Sequence, residues 1–325
     1  MSKGIRGAMA ALEKRFGEKV VMKMSDAKVE VETFSSGRGD LDVALGGGYG
    51  VGKIIELYAE SGCGKTGLAL EAIASVQKSG GVCAIIDSEH ALNTEYCTDI
   101  GVVIDDLYIS QPSYGEQAIE TIRALIETGE VALIVVDSVA AMIPRAEMEG
   151  ESGEVKMGLQ ARMMSQGMKL MSGPASDSGT TIIFINQLRS TISMYGPAQT
   201  TTGGKALKFY ASQRLEIKNK GQLKEGDDVI GFKQYIKVVK NKIAPPFKVV
   251  ENDIVYGVGV DKFSGMVELL VFEGIITKKG AFYSFGDTRL AQGIKKLRIA
   301  FDENPDMVEK LEDLLAKKQA KQKKK

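Results

Sequence analysis

The segment Ala59-Glu60-Ser61-Gly62-Cys63-Gly64-Lys65-Thr66 leaves this chain few folds to choose from. The apolar run Ile54–Tyr58 leads into it. Leu68, Ala69, Ala72, Ile73 and Val76 then line one helical face, and Gly80-Gly81 stops that helix. Strand, Gly-rich turn and helix in that order gather backbone N–H groups at a helix N-terminus, a concavity suited to an anion. The spacing is that of a phosphate-binding P-loop with Ala in place of the commonest first Gly. Its glycines let the backbone approach phosphates, Lys65 reaches the β/γ oxygens, and the Thr66 hydroxyl ligates Mg²⁺. An ordinary Gly-rich βα turn is the bland alternative, disfavoured by the placement directly between strand and helix.

Further β-branched runs at Val82–Asp87, Leu107–Ser110, Val131–Asp137 and Thr181–Asn186 alternate with helical patterns at Gly115–Glu127 and Leu159–Leu170. That alternation predicts an α/β fold with a mainly parallel sheet and helices on both faces. A length of 325 residues suits roughly two domains, or one large core with attachments. With 44% hydrophobic and 26% charged residues the chain is neither disordered, collagen-like nor a disulfide scaffold. No apolar run approaches the ~18 residues needed to cross a bilayer, and the first residues lack the apolar region of a secretion signal. A cytoplasmic protein without a membrane partner is the expectation. Lys plus Arg (42) balances Asp plus Glu (42), so no overall basic footprint announces nucleic acid. Cys63, Cys83 and Cys97 form no CxxC and His90 is the single histidine, which argues for reduced thiols and against a His-rich metal site.

Polar residues end three of the runs. Asp137 closes an apolar strand as a Walker B acid does, in place to hold the Mg²⁺ shell. Glu89 follows another strand at the edge where α/β sheets place ligands, and can polarise a water aimed at the γ-phosphate. A surface helix cap is its bland alternative, and His90 reads as a histidine satisfied behind the site. Asn186-Gln187 offers an amide to sense the γ-phosphate. Ile5, Met9, Leu12 and Phe16 make an amphipathic arm, packed on its own domain or lent to a neighbouring subunit. Between Ser190 and Gly204 no period is stable, which marks a disordered insert or a working loop. Tyr235–Val239 and Ile254–Val258 read as strands, a domain boundary falls near Asp261–Ser264, and the six lysines in Lys317–Lys325, with no acid, read as a disordered cationic tail. The methionines near 157–171 read as core filling, Met157 excepted.

Beyond the P-loop stand Ile86-Asp87-Ser88-Glu89-His90-Ala91-Leu92, Val135-Val136-Asp137-Ser138-Val139-Ala140-Ala141, Met157-Gly158-Leu159, Ala161-Arg162-Met163-Met164-Ser165-Gln166, Phe184-Ile185-Asn186-Gln187, Thr200-Thr201-Thr202-Gly203-Gly204, Ala206-Leu207-Lys208-Phe209-Tyr210-Ala211 and Val239-Lys240-Asn241-Lys242-Ile243-Ala244. In this order the set resembles the bacterial RecA recombinases, from the arm to about Pro305. The resemblance implies a RecA-type P-loop ATPase core (32–261) with an N-terminal helical polymerisation arm (1–31), a small α+β C-terminal domain (262–316) and the basic tail (317–325). It implies a DNA-dependent ATPase, using ATP or dATP with Mg²⁺, that forms helical filaments of itself on single-stranded DNA and exchanges strands with homologous duplex in recombination and repair. LexA-type repressors and mediator proteins are further partners it suggests.

Carried over by position, Glu89 resembles the residue that activates water and Gln187 the one that reports the γ-phosphate to the DNA loops. Tyr96 and Tyr256 resemble the aromatics flanking adenine, and Lys240 and Lys242 the lysines reaching across the filament interface to a neighbour's γ-phosphate. The first DNA loop is about 147–158, with Met157 and Gly158, followed by Arg162, Ser165 and Lys169. The second is about 189–204, with Arg189, Tyr195, Thr202, Gly203 and Gly204. Lys169 stands where Arg is usual and Lys205 where Asn is usual, the second loop is one residue shorter, and relatives carry an acidic tail. These departures suggest a divergent or phage-encoded copy, in a bacterial or host cytoplasm. A hexameric helicase would share the P-loop and Walker B strand but not Glu89-His90 with the Thr200–Gly204 run. A regulatory paralogue would have lost an ATPase residue, and none is lost.

Overall fold

The computed structural model describes residues 3–17, 21–24, 31–150, 158–190, 199–257, 259–260 and 262–322. They divide into two units, Met1–Glu32 and Thr33–Lys325. In the first, α1 (Lys3–Phe16) is built from good helix formers and carries Lys14 and Arg15 in its last turn, where cations suit the helix dipole. Gly17, at φ 96°, ends it. Ile5 and Phe16 are 55% and 62% exposed, so the apolar stripe finds little cover within its own unit.

The second unit opens with β1 (Thr33–Phe34), α2 (Gly39–Leu45) and β2 (Tyr49–Gly50), then runs β3 (Ile54–Ala59), α3 (Lys65–Lys78), β4 (Val82–Asp87), α4 (Thr94–Ile100), β5 (Leu107–Ser110), α5 (Gly115–Glu127) and β6 (Val131–Asp137). After α6 (Arg145–Met148) come α7 (Leu159–Ser178), β7 (Thr181–Ser190), β8 (Gln199–Thr201), α8 (Ala206–Tyr210), β9 (Gln213–Glu225), β10 (Asp228–Asn241), β11 (Val249–Val255) and β12 (Gly259–Val260). The chain closes with α9 (Lys262–Phe272), β13 (Thr277–Lys279), β14 (Phe282–Phe285), β15 (Thr288–Gln292), α10 (Ile294–Asp302) and α11 (Pro305–Gln322).

The central sheet is ordered β12-β11-β10-β9-β3-β7-β6-β4-β5. From β9 to β5 all pairings are parallel, and β9 to β12 form an antiparallel meander. Side chains alternate across the parallel strands. Leu133, Val135, Ile183 and Ile185 pack on the face that α3 covers with Leu68, Leu70 and Ile73. Ile134, Val136, Ile182 and Phe184 pack on the other face against Ile119 and Ile122 of α5 and Met164 and Met168 of α7. Both faces are buried, which explains the near-continuous apolarity of these runs. A separate cluster around Leu270, Tyr283, Leu297 and Leu311 forms the core of the smaller C-terminal sheet and its helices.

Three elements run further than their periodicity indicates. Helix α7 passes Ser172-Gly173-Pro174 and reaches Ser178 because Met171 and Ala175 continue its buried stripe. Strand β7 continues past Asn186 because β8 pairs with it antiparallel, Leu188 opposite Thr201 and Ser190 opposite Gln199. The base of the Ser190–Gly204 segment is therefore a hairpin rather than unstructured chain; residues 191–198 lie outside the described residues. Helix α11 extends to Gln322, so residues 317–322 of the segment read as a disordered tail are helical. Lys, Gln and Ala favour helix, and cations suit its C-terminal end.

Candidate active site

Four adjacent strands, β3, β7, β6 and β4, deliver their carboxyl ends to one edge, where α/β sheets bind ligands. Strand β3 is wholly buried and passes into the loop Ala59–Thr66, whose Gly62 and Gly64 take φ 72° and 78°, conformations that L side chains rarely adopt. Lys65 opens α3 and is buried, its Nζ donating to the Glu60 carbonyl at 2.7 Å. Burial holds its pKa below the ordinary lysine value, against the opposing pull of Cys63, Asp137 and Glu89. Thr66 Oγ1 donates to Asp137 Oδ2 at 2.7 Å. Burial raises Asp137 to about 6, opposed by the Thr66 hydrogen bond. A hydroxyl and a carboxylate converging at the mouth of an anion cradle are hard oxygen donors that fit Mg²⁺ shared with phosphate oxygens.

Glu89 is the hub of the edge. Its Oε1 accepts from Ser138 Oγ at 2.6 Å and from Gln187 Nε2 at 2.9 Å. The turn that carries it is tied to β6, Ser88 and Glu89 amides donating to the Asp137 carbonyl at 2.7 and 3.3 Å. Asp87 steadies the same turn from below, accepting from the Ala91 and Leu92 amides and from Gln111 Nε2. His90 is exposed with φ 54°, which corrects its reading as a histidine satisfied behind the site: the turn aims its ring outward.

Of the two amides ending the β7 core, Gln187 reaches Glu89 while Asn186 is fully buried. Asn186 Nδ2 donates to Glu56 Oε1 at 2.9 Å, and its Oδ1 accepts from Thr202 Oγ1 at 2.5 Å. Asn186 is thus a tether for the second loop rather than a phosphate sensor, because its polar atoms are all committed inside. Tyr96, 45% exposed, places its hydroxyl so close to Gly67 of α3 that a Cβ there would lie 2.5 Å away. Tyr256 is exposed and its ring lies 6.1 Å from that of Phe232, which in turn abuts Gly64. Lys240 Nζ donates to the carbonyls of Lys208 and Phe209, at 2.9 and 3.0 Å, at the end of α8, and Lys242 is exposed.

Gly158, at φ 87°, precedes α7, and Arg162, Ser165 and Lys169 follow at spacings of four, three and four, one stripe of that helix. Arg162 and Lys169 are exposed, and Arg162 borders a shallow groove with Glu116 and Glu120. Arg189 is exposed on β7 opposite Thr200. Gly203 and Gly204, at φ 76° and 77°, approach α7 and the turn after β6: a Cβ at Gly203 would meet Val139 of that turn at 2.9 Å and Met164 of α7 at 3.2 Å, and one at Gly204 would meet Ala161 of α7 at 2.7 Å. Met157 and Tyr195 lie outside the described residues. Met163, Met164, Met168 and Met171 are buried, core residues as their spacing implies.

Residues 3–261 match the family model of the RecA N-terminal domain, and residues 264–320 that of the RecA C-terminal domain. The chain belongs to the RecA family. It is 49% identical over 315 residues to Protein RecA of Rhodopseudomonas palustris, covering 96% of this chain and 90% of that one. It is 48% identical over 319 residues to Protein RecA of Corynebacterium glutamicum (97% and 85%), and 49% identical over 310 residues to that of Staphylococcus aureus (94% and 89%). As a RecA protein it is a DNA-dependent ATPase of recombination, repair and the DNA-damage response that binds nucleotide and DNA and assembles with copies of itself. Neither the helicase nor the regulatory paralogue is favoured by these matches. No helix among the described residues is long and apolar enough to cross a membrane.

Three polar residues that the sequence gives no role join the parts of the site. Ser138 seats Glu89. Gln160 Nε2 donates to the Val139 and Met142 carbonyls, at 2.9 and 3.2 Å, while its Oε1 accepts from the Gly203 amide at 3.2 Å, so it joins the turn after β6, α7 and the second loop. Gln199 Nε2 donates to Glu60 Oε1 at 2.7 Å, joining β8 to the P-loop. Each is a short polar side chain with no local signature.

Proposed function

We propose that Lys65, the amides of Ala59–Thr66, Thr66 and Asp137 hold Mg²⁺·ATP or dATP, that Tyr96 and Tyr256 flank the base, and that Glu89 is the general base for the attacking water. Bound Mg²⁺ would neutralise charge on the β and γ oxygens. Glu89 would take the water's proton at its other carboxylate oxygen, while Ser138 and Gln187 hold Oε1. The observation that carries this reading is the shared Glu89 Oε1: one hydrogen bond comes from the Walker B strand end and the other from Gln187, which leads directly into the second loop. A γ-phosphate that draws Gln187 away would alter that loop at the same moment, which couples nucleotide to DNA.

Phosphate contacts from Arg162, Ser165, Lys169, Arg189, Thr202 and the Gly158, Gly203 and Gly204 amides, with stacking by Tyr195 and a contact from Met157, suit DNA of any sequence. Lys240 and Lys242 would act in a neighbouring subunit's site, in the manner of arginine fingers. Lys240 must first leave the α8 carbonyls that it caps here. Residues 1–31 serve as the polymerisation arm, 32–261 as the ATPase core and 262–316 as a C-terminal domain, in filaments on single-stranded DNA that pair with homologous duplex. The expected result for Glu89→Gln is retained ATP and DNA binding with slow hydrolysis and long-lived filaments under the microscope. Turnover equal to that of the unmodified chain would make another residue the base.

A further inference from the structure

A polar side chain sits at an inward position of β10, among the apolar Phe232, Ile236 and Val238. It is Gln234, 1% exposed. Its Nε2 donates to the Cys63 carbonyl at 2.7 Å and reaches the Gly64 carbonyl at 3.4 Å. Its Oε1 accepts from Arg38 Nη1 at 2.6 Å. Arg38 in turn is clamped by both oxygens of Glu71, Nε to Oε2 and Nη2 to Oε1, with only 5% and 11% of the two side chains exposed. Since the guanidinium can only donate, the amide has one orientation, oxygen towards Arg38 and nitrogen towards the loop. Glu71 lies on α3, the helix that the loop opens.

A trans peptide points its C=O and N–H in opposite directions. Holding the Cys63 and Gly64 carbonyls back against β10 therefore turns the Gly64 and Lys65 N–H groups outward, into the anion cradle. Gly64 makes the grip possible, because a Cβ there would stand 2.6 Å from Gln234 Nε2. We propose that Gln234, oriented by the Arg38–Glu71 pair, is a positioning residue that aims the Gly64 and Lys65 amides of the cradle at the β-phosphate. The proposal rests on Ala59–Thr66 being the phosphate-binding loop.

Gln234→Glu separates aiming from packing. The carboxylate still fits and pairs with Arg38, but it presents an acceptor to two carbonyl oxygens and releases the loop. The test is equilibrium binding of Mg²⁺·ADP to the full-length chain without DNA, alongside the melting of the nucleotide-free chain. Expected are an affinity at least about tenfold lower, a Tm within about 3 °C of the unmodified chain, and a KM for ATP that rises more than kcat falls on single-stranded DNA. Unchanged ADP affinity overturns the proposal, as does an affinity loss that merely accompanies an equal loss of apo stability. If Gln234→Glu does not fold, Arg38→Lys decides. Its ammonium keeps Glu71 but frees the Gln234 amide to turn, so ADP affinity about threefold lower or worse supports the proposal and unchanged affinity overturns it. Lys65→Ala is the control on the underlying reading: if it binds ADP normally, the loop assignment fails. If it loses ADP while Gln234→Glu does not, only the positioning role fails.

Discussion

Ser138→Ala removes one oxygen and, on this geometry, most of what orients the proposed base. Ser138 is fully buried, and its hydroxyl donates at 2.6 Å to the oxygen of Glu89 that Gln187 also engages. Glu89 is itself exposed, so apart from Ser138 its carboxylate is held mainly by Gln187. A hydrogen bond to a charged group contributes about 1.5–3 kcal/mol. Water replaces part of that at an exposed carboxylate, leaving about 1–2 kcal/mol of lost preference for the productive rotamer. Through the transition-state relation this is a fall of about 5- to 30-fold in kcat. KM for ATP should stay within about twofold, because Ser138 makes no hydrogen bond to the P-loop, and stability should fall by no more than about 1 kcal/mol. The assay is steady-state ATP hydrolysis on saturating single-stranded DNA. A kcat within twofold of the unmodified chain would refute the idea that Ser138 holds the base.

Three further outcomes follow from particular contacts. The Tyr49 hydroxyl is buried with no partner among the described residues, so Tyr49→Phe should leave stability unchanged or raise it by up to about 1 kcal/mol in urea unfolding; a loss above that amount would reveal a partner. Burial raises Asp42 from 3.8 to about 6, so the folded chain holds that proton more tightly than the unfolded one and loses stability as pH climbs from 3.8 to 6. Asp42→Asn, though it gives up one of the hydrogen bonds from Ser35 and Ser36, should gain on the unmodified chain by on the order of 2–3 kcal/mol between pH 4 and pH 7; parallel curves would contradict this. Replacing Lys317, Lys321 and Lys323–Lys325 by Gln, while leaving Lys318 on Glu273, should weaken duplex DNA binding and flatten its salt dependence by up to a few units of slope. Superimposable curves would make the lysines solubilising only.

What the sequence discloses and what it hides divide along a physical line. The P-loop and the strand ends Asp87 and Asp137 are legible because each is local: a short run fixes strand, turn and helix, and the sheet edge follows. Gly203 and Gly204 are legible as a motif, but their reason, the approach of Ala161 and Val139, is tertiary. Ser138 and Glu89 are 49 residues apart, and Arg38 and Gln234 are 196 apart. No periodicity reports such pairs, since a Gln or Ser suits surface and interior alike until its partner is known. The continuation of α7 through Pro174 has the same origin, burial of Met171 and Ala175 outweighing a local breaker.

If Gln187 and Glu89 tie hydrolysis to DNA, the coupling is read in the stimulation of ATP hydrolysis by single-stranded DNA in Gln187→Ala beside the unmodified chain. The unmodified chain should be strongly stimulated, and the variant should bind ATP normally with stimulation largely abolished. Stimulation of Gln187→Ala equal to that of the unmodified chain would contradict the coupling.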